Sequence, residues 1–245
     1  MDHESSPRPP RDYYKQLFPV VRFGLNRAFD RTTLGAENIP DTPALYVPNH
    51  IKFADSALVA AAYTEETGKA MRFGAKREYF DGDGLDDKGK LGRTMQWVMA
   101  HTHMIPVDRE GGDPRAFSKL QAAVLGRLAV GDSVALHAEG TRSTDGRLHK
   151  FKSGAARIAL EGMVPIVPVG IVYTEYSNHR RTHVDVSFGE PIMPEEYDKL
   201  PYKLLPKGPK AEHFIKVAED RVANLTGMPQ AGAFAQLRKN RHSEE

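Results

Sequence analysis

Two stretches of this chain carry side chains whose types and spacing suit chemistry. In Val47-Pro48-Asn49-His50-Ile51-Lys52-Phe53-Ala54-Asp55, an imidazole and a carboxylate stand five positions apart. On a regular helix that is roughly 140° of rotation, so the two cannot share a helical face. They meet only if His50 precedes a helix that Asp55 opens, where the carboxylate turns back to one ring nitrogen. An imidazole oriented in this way is a general base for an alcohol. Asp is also a favoured N-cap, so the spacing alone equally fits a plain cap beside a loop histidine.

The second stretch is His137-Ala138-Glu139-Gly140-Thr141-Arg142-Ser143, followed by Lys150-Phe151-Lys152-Ser153-Gly154 and a helical pattern. Gly140 lets backbone approach a ligand, Thr141 and Ser143 bring hydroxyls, and Arg142 brings a planar fork suited to phosphate. Lys152 and the amides that open the next helix add to an anion pocket. The competing reading is a plain turn at Thr144-Asp145-Gly146 with Arg142 paired to Glu139. A third segment, Met104-Ile105-Pro106-Val107-Asp108-Arg109, delivers Arg109 at a strand end, where an Arg beside an Asp also makes an ordinary ion pair. A fourth, Gly74-Ala75-Lys76-Arg77-Glu78, fits a solvated face as well. His101 and His103 have the i, i+2 spacing of one strand face, which a metal can use.

The elements that must position these residues follow from period and length. Ala44–Pro48, Ala70–Ala75, Met104–Val107, Ser133–Ala138 and Ile166–Val172 read as short buried strands. Asp55–Glu66, Lys88–Ala100, Pro114–Val130, Ser153–Gly162 and Lys210–Leu225 read as helices, with Asp113-Pro114 a start signal and Gly131 a stop. The alternation predicts an α/β fold: a single layered domain with a mostly parallel central sheet flanked by helices. Sites in such sheets lie beyond the carboxyl ends of the strands, where the segments above end.

Composition narrows the chemistry. The chain has 245 residues, 34 basic against 32 acidic, and no cysteine, which excludes thiolate nucleophiles, thiolate metal sites and disulfides. The near balance of charge does not favour nucleic acid as a partner. The longest clean apolar run, Met163 to Tyr173, holds two prolines and a glycine and falls short of the roughly 20 residues a spanning helix needs. The first residues lack a basic region followed by an apolar core, so no secretory signal is expected. Residues 1–11 are expected to be a disordered tail, 12–31 an amphipathic membrane-docking segment, 32–228 the main domain, and 229–245 a charged tail. In the docking segment Tyr13, Tyr14, Phe18, Phe23 and Phe29 alternate with Lys15, Arg22, Arg27 and Arg31, a composition shared by interfacial anchors and by core helices with charged edges. Pro19 argues against an unbroken helix there.

Taken in order, the segments resemble the glycerolipid acyltransferase family typified by 1-acyl-glycerol-3-phosphate acyltransferases. The resemblance rests on Asn49-His50 with Asp55, Lys76 to Glu78, Ile105-Pro106-Val107-Asp108-Arg109, Glu139-Gly140-Thr141-Arg142 and Val164-Pro165-Ile166-Val167-Pro168-Val169, and covers about residues 34 to 192. Two departures stand out: Lys52, where many members carry Ser or Thr, and His137-Ala138, where Phe-Pro is usual. The resemblance implies that His50 with Asp55 deprotonates an acceptor hydroxyl, which attacks an acyl thioester of coenzyme A or acyl carrier protein. It implies that Arg109, Glu139, Gly140, Thr141 and Arg142 hold the phosphate and glycerol of a lysophospholipid or glycerol phosphate. Asn49, Lys52, Lys76 and Lys152 are further candidates for substrate binding. No cofactor or metal is expected to be bound, the acyl carrier serving as co-substrate. With lipid substrates and no expected spanning helix, the implied placement is cytoplasmic, peripheral on the inner face of the cell membrane and on an anionic surface. Two other readings remain: a metal-dependent hydrolase using His50, His101 and His103, and a non-catalytic anionic-lipid binding module.

Overall fold

The computed structural model describes residues 11–81, 89–108, 113–175, 181–199 and 201–236. In chain order the helices are α1 (Tyr14–Ala28), α2 (Asp55–Thr67), α3 (Glu78–Asp81), α4 (Gly89–His101), α5 (Ala116–Ala129), α6 (Gly154–Gly162) and α7 (Lys207–Thr226). The strands are β1 (Phe29–Leu34), β2 (Leu45–Pro48), β3 (Met71–Lys76), β4 (Ile105–Val107), β5 (Ser133–Ala135), β6 (Ile166–Thr174) and β7 (Thr182–Phe188). They form one sheet in the order β1-β7-β6-β2-β5-β3-β4. Every pairing is parallel except β6 with β7, so β1 and β7 run against the other five. The expected mostly parallel α/β sheet is therefore present, and β2, β3, β4, β5 and β6 all end at one edge.

Both faces of the sheet are covered, because side chains alternate along each strand. Leu45 and Val47 of β2 pack with Val134, Leu136 and the α5, α6 and α7 residues Val124, Ile158, Phe214 and Val222. Ala44 and Tyr46 face the other way, onto Leu58, Val59 and Tyr63 of α2, Val167 and Val169 of β6 and Phe188 of β7. Each large apolar side chain buried in these layers contributes roughly 1.5–3 kcal/mol. Gly170 is needed where α7 crosses β6: a Cβ there would lie 2.7 Å from Cβ of Leu225.

Helix α1 packs on α2 through the Tyr14 hydroxyl, 2.9 Å from Thr64 Oγ1, and buries Leu25. It passes through Pro19 unbroken, contrary to expectation. A proline in the second turn removes one hydrogen bond, to the Lys15 carbonyl, while packing on both sides of Pro19 holds the helix in place. Its outer face leaves Val20 70% and Phe23 74% exposed. The expected boundary at residue 31 falls inside β1, which pairs with β7 from Phe29 to Leu34. The chain beyond residue 228 does not leave the domain at once either. Leu148 N donates to Pro229 O, Ala231 N to Leu148 O, and Lys150 N to Ala233 O. Glu219 of α7 anchors the same loop, accepting from Phe151 N at 2.7 Å. Residues 1–10 and 237–245 lie outside the described residues.

Candidate active site

The site is built where β2 runs into α2. Asn49, fully buried, closes the end of β2: its amide Nδ2 donates to Ile171 O at 3.0 Å and its Oδ1 accepts from Ile171 N at 2.8 Å. That two-way bond to β6 ends the strand and directs His50 out of the sheet. The backbone of His50 is fixed on both sides, its N–H donating to Glu139 Oε1 at 2.7 Å and its carbonyl accepting from Ser143 N at 2.7 Å. The Ile51 to Ala54 turn then brings Asp55, the first residue of α2, back against the ring.

Asp55 receives four donors. Oδ2 lies 2.9 Å from Nδ1 of His50 and accepts the N–H groups of Ile51 at 2.6 Å and Lys52 at 2.8 Å. Oδ1 accepts the Tyr173 hydroxyl at 2.5 Å. Burial by itself would raise this carboxyl, but the hydrogen bonds from His50 and Tyr173 outweigh it and hold Asp55 below the usual carboxylate range. The N-cap reading of Asp55 does not hold: Ala54 stands at the N-cap without a side-chain bond, Asp55 is the first residue of α2, and its carboxylate turns back onto the preceding loop, where it pairs with the imidazole. An ionised Asp55 accepts only, so Nδ1 of His50 carries a proton, and in the neutral ring the lone pair is on Nε2.

A second imidazole lies on the first. The rings of His50 and His137 are stacked, with centroids 3.8 Å apart and 15° between planes. His137 lies 3.1 Å from Asn49 O through Nδ1 and 2.9 Å from Ser56 Oγ through Nε2.

The Glu139–Ser143 turn closes the site from β5. Both oxygens of the fully buried Glu139 accept backbone N–H groups, from His50 and, at 3.0 Å, from His149. It does not pair with Arg142, which is exposed, and Thr141 is half-buried. Burial pushes the Glu139 carboxyl up to about 7 against the pull of those donors. Gly140 has φ +79°, and a Cβ there would come 2.9 Å from Nζ of Lys152, so the lysine lies across the glycine. Lys52 points over the Tyr173 ring, Nζ 4.3 Å from its centroid and 3.7 Å from Glu175 Oε1. Lys76 ends β3 with Nζ 3.4 Å from Glu78 Oε2, and Arg77 reaches Asp108 at 3.8 Å. Arg109 lies outside the described residues.

The structure thus brings His50, Asp55, Asn49, Glu139, Gly140, Thr141 and Arg142 together, with Lys52 and Lys152 bordering them. Tyr173 and Ser56 are given no role by the sequence, and His137 stands there only as a departure from the family pattern. For Tyr173 the available signal is a tyrosine one residue before the end of an otherwise largely apolar strand.

The metal-hydrolase reading is overturned. His103 bonds to Arg127 at 3.1 Å at the start of β4, and His101 stacks on Trp97 at 4.5 Å, whereas His50 lies past the end of β2, at the opposite edge of the sheet. Among the described residues no three His, Asp or Glu side chains are grouped to hold a metal ion.

Comparison with known proteins follows the same lines. A family model described as Acyltransferase matches residues 31–172. A chloroplastic 1-acyl-sn-glycerol-3-phosphate acyltransferase of Arabidopsis thaliana is 34% identical over 142 residues, 57% of this chain and 35% of that protein. Its counterpart in Brassica napus is 33% identical, with 36% of its length covered, so the chain spans about a third of either relative. A probable 1-acyl-sn-glycerol-3-phosphate acyltransferase of Mycoplasma pneumoniae is 25% identical over 81% of this chain and 76% of its own. The crystal structure of the 1-acyl-sn-glycerophosphate acyltransferase PlsC from Thermotoga maritima shares the fold, with a TM-score of 0.55 and 22% identity over 84% of this chain and 78% of that one.

Proposed function

Given that the chain belongs to the Acyltransferase family, we propose that it is an O-acyltransferase moving a fatty acyl group from acyl-coenzyme A or acyl carrier protein to 1-acyl-glycerol-3-phosphate. The relatives' names support the acceptor. The observation that carries the mechanism is the 2.9 Å contact between Nδ1 of His50 and Asp55, which leaves Nε2 as a base beside a cationic turn. Nε2 takes the proton of the acceptor hydroxyl as its oxygen bonds to the thioester carbonyl carbon. The tetrahedral intermediate collapses, the C–S bond breaks, and the thiolate leaves with the proton that His50 returns. Asp55 stabilises the imidazolium formed in between. Arg142, Thr141, Gly140 and Lys152, with Lys52, Lys76 and Arg109, supply the cations and close backbone approach for the acceptor's phosphate. Asn49 and Glu139, both fully buried and spent on backbone groups, act by holding His50 and the turn in place rather than by touching substrate.

No helix among the described residues is long and apolar enough to cross a membrane. The exposed Val20 and Phe23 of α1, flanked by Lys15, Arg22 and Arg27, support docking on an anionic bilayer at the cytoplasmic face.

The test is acyl transfer from acyl-coenzyme A and from acyl carrier protein to lysophosphatidate and glycerol 3-phosphate, with His50→Ala beside the parent. A positioned base contributes about 10² to 10⁴ in rate, and a kcat loss of that size is expected. Undiminished turnover in a folded His50→Ala protein would remove the base from the scheme. Ligand binding with no product from any donor would instead favour a binding module.

A further inference from the structure

The geometry points to His137 as a positioning residue for the base: an imidazole plate that fixes the plane of the His50 ring, and with it the direction of the Nε2 lone pair. The inference deepens the acyl-transfer reading and rests on it. A single hydrogen bond to Asp55 holds one corner of the His50 ring and leaves the ring free to rock about that contact. His137 lies flat against one face at 3.8 Å and 15° and closes off that motion.

The plate is itself locked. Its partner on one ring edge, 3.1 Å from Nδ1, is the Asn49 carbonyl, which only accepts, so Nδ1 of His137 carries the proton. Its Nε2 lies 2.9 Å from the Ser56 hydroxyl, which can donate or accept. Bonds on opposite edges stop His137 from turning. The backbone supplies the alignment. Tyr46 pairs with Ala135, and Leu136 N donates to Tyr46 O at 2.9 Å, which carries residue 137 level with the end of β2. The imidazole supplies both the flat face and the two locking contacts.

The experiment compares the full-length parent with His137→Ala, His137→Phe and Ser56→Ala by steady-state kinetics and by NMR of the His50 Nδ1 proton. Misaligning a reacting group by an ångström costs up to about 10² in rate. His137→Ala is expected to lower kcat at least about tenfold, to leave KM for both substrates close to the parent's, and to broaden the Nδ1 proton by exchange. His137→Phe, which restores a flat ring, is expected to recover most of both losses. Ser56→Ala, which frees one edge of the plate and leaves the core filled, is expected to lower kcat about threefold, the worth of one neutral hydrogen bond. It keeps the test decisive should the alanine variant at 137 not fold. Parent-like kcat in both alanine variants, a loss carried by KM, a phenylalanine variant no better than alanine, or an unchanged Nδ1 proton would each overturn the inference. The proton is read without substrate, so failure of the acyl-transfer reading, seen as no product from the parent, is told apart from failure of this one.

Discussion

Replacing Asp55 by Asn isolates what the carboxylate charge contributes. The side chain keeps its shape, and an amide oriented with its oxygen toward His50 still accepts from Nδ1 and from the Ile51 and Lys52 N–H groups. Its NH2 then meets the Tyr173 hydroxyl, which rotates to accept. The fold should therefore survive, and the loss falls on the charge that faces the imidazolium. At the observed 2.9 Å and an effective dielectric of about 20, two unit charges interact by roughly 6 kcal/mol. At about 1.4 kcal/mol per factor of ten, that is an upper limit near 10⁴ in rate. Proton transfer is incomplete in the transition state, so a fall in kcat of about 10² to 10⁴ is expected. The assay is single-turnover acyl transfer from acyl-coenzyme A to lysophosphatidate, alongside thermal unfolding of both proteins. A folded Asp55→Asn enzyme within about threefold of the parent, or one whose deficit lies entirely in KM, would refute the dyad.

Two further outcomes are expected. Tyr173→Phe removes one of the four donors to Asp55 and, with a hydrogen bond to a charged group worth about 1.5–3 kcal/mol, should lower thermal stability and cut kcat about tenfold; parent-like values in both would sink the role given to the hydroxyl. Because burial raises the Glu139 carboxyl from 4.5 to about 7, the folded state holds that proton more tightly than the unfolded chain, so this contribution is full below about 4.5 and is lost as pH rises through about 7. The loss is about 3 kcal/mol at most, and the urea midpoint of the parent should fall between pH 5 and 8 with a slope that Glu139→Gln reduces; equal slopes would contradict it.

Much of the scaffold was legible because the central strands and the helices over them are single-purpose. Leu45 to Pro48 is apolar throughout since both its faces are covered, and Ala116–Ala129 begins two residues after Pro114, with the Asp113 side chain accepting from Arg115 N at 2.8 Å. The two outlying strands were missed for opposite reasons. β7 alternates His183 and Asp185 with Val184 and Val186, the period of a half-covered strand, which a search for continuous apolar runs passes over. β1 has no pattern of its own and takes its shape from pairing with β7. At the site, His50 and Asp55 announced themselves by local spacing. Tyr173 and His137 did not, since each meets the dyad only through sheet order, 118 residues from Asp55 in the case of the tyrosine. Asn49 was visible as a residue and not as a brace, because its partner Ile171 lies 122 positions on.

The fastening of Leu148 and Lys150 by residues 229–233, and of Phe151 by Glu219, bears on how the enzyme comes into being. A ribosome delivers His50 and Asp55 first and the arginine turn later, yet the clasp that steadies that turn emerges only after both. A nascent chain halted before α7 would hold every polar group of the proposed chemistry and still lack the means to keep them in register. Such long-range closure is slow relative to local helix formation, so the proposed site should become ordered only once α7 and residues 229–233 have docked.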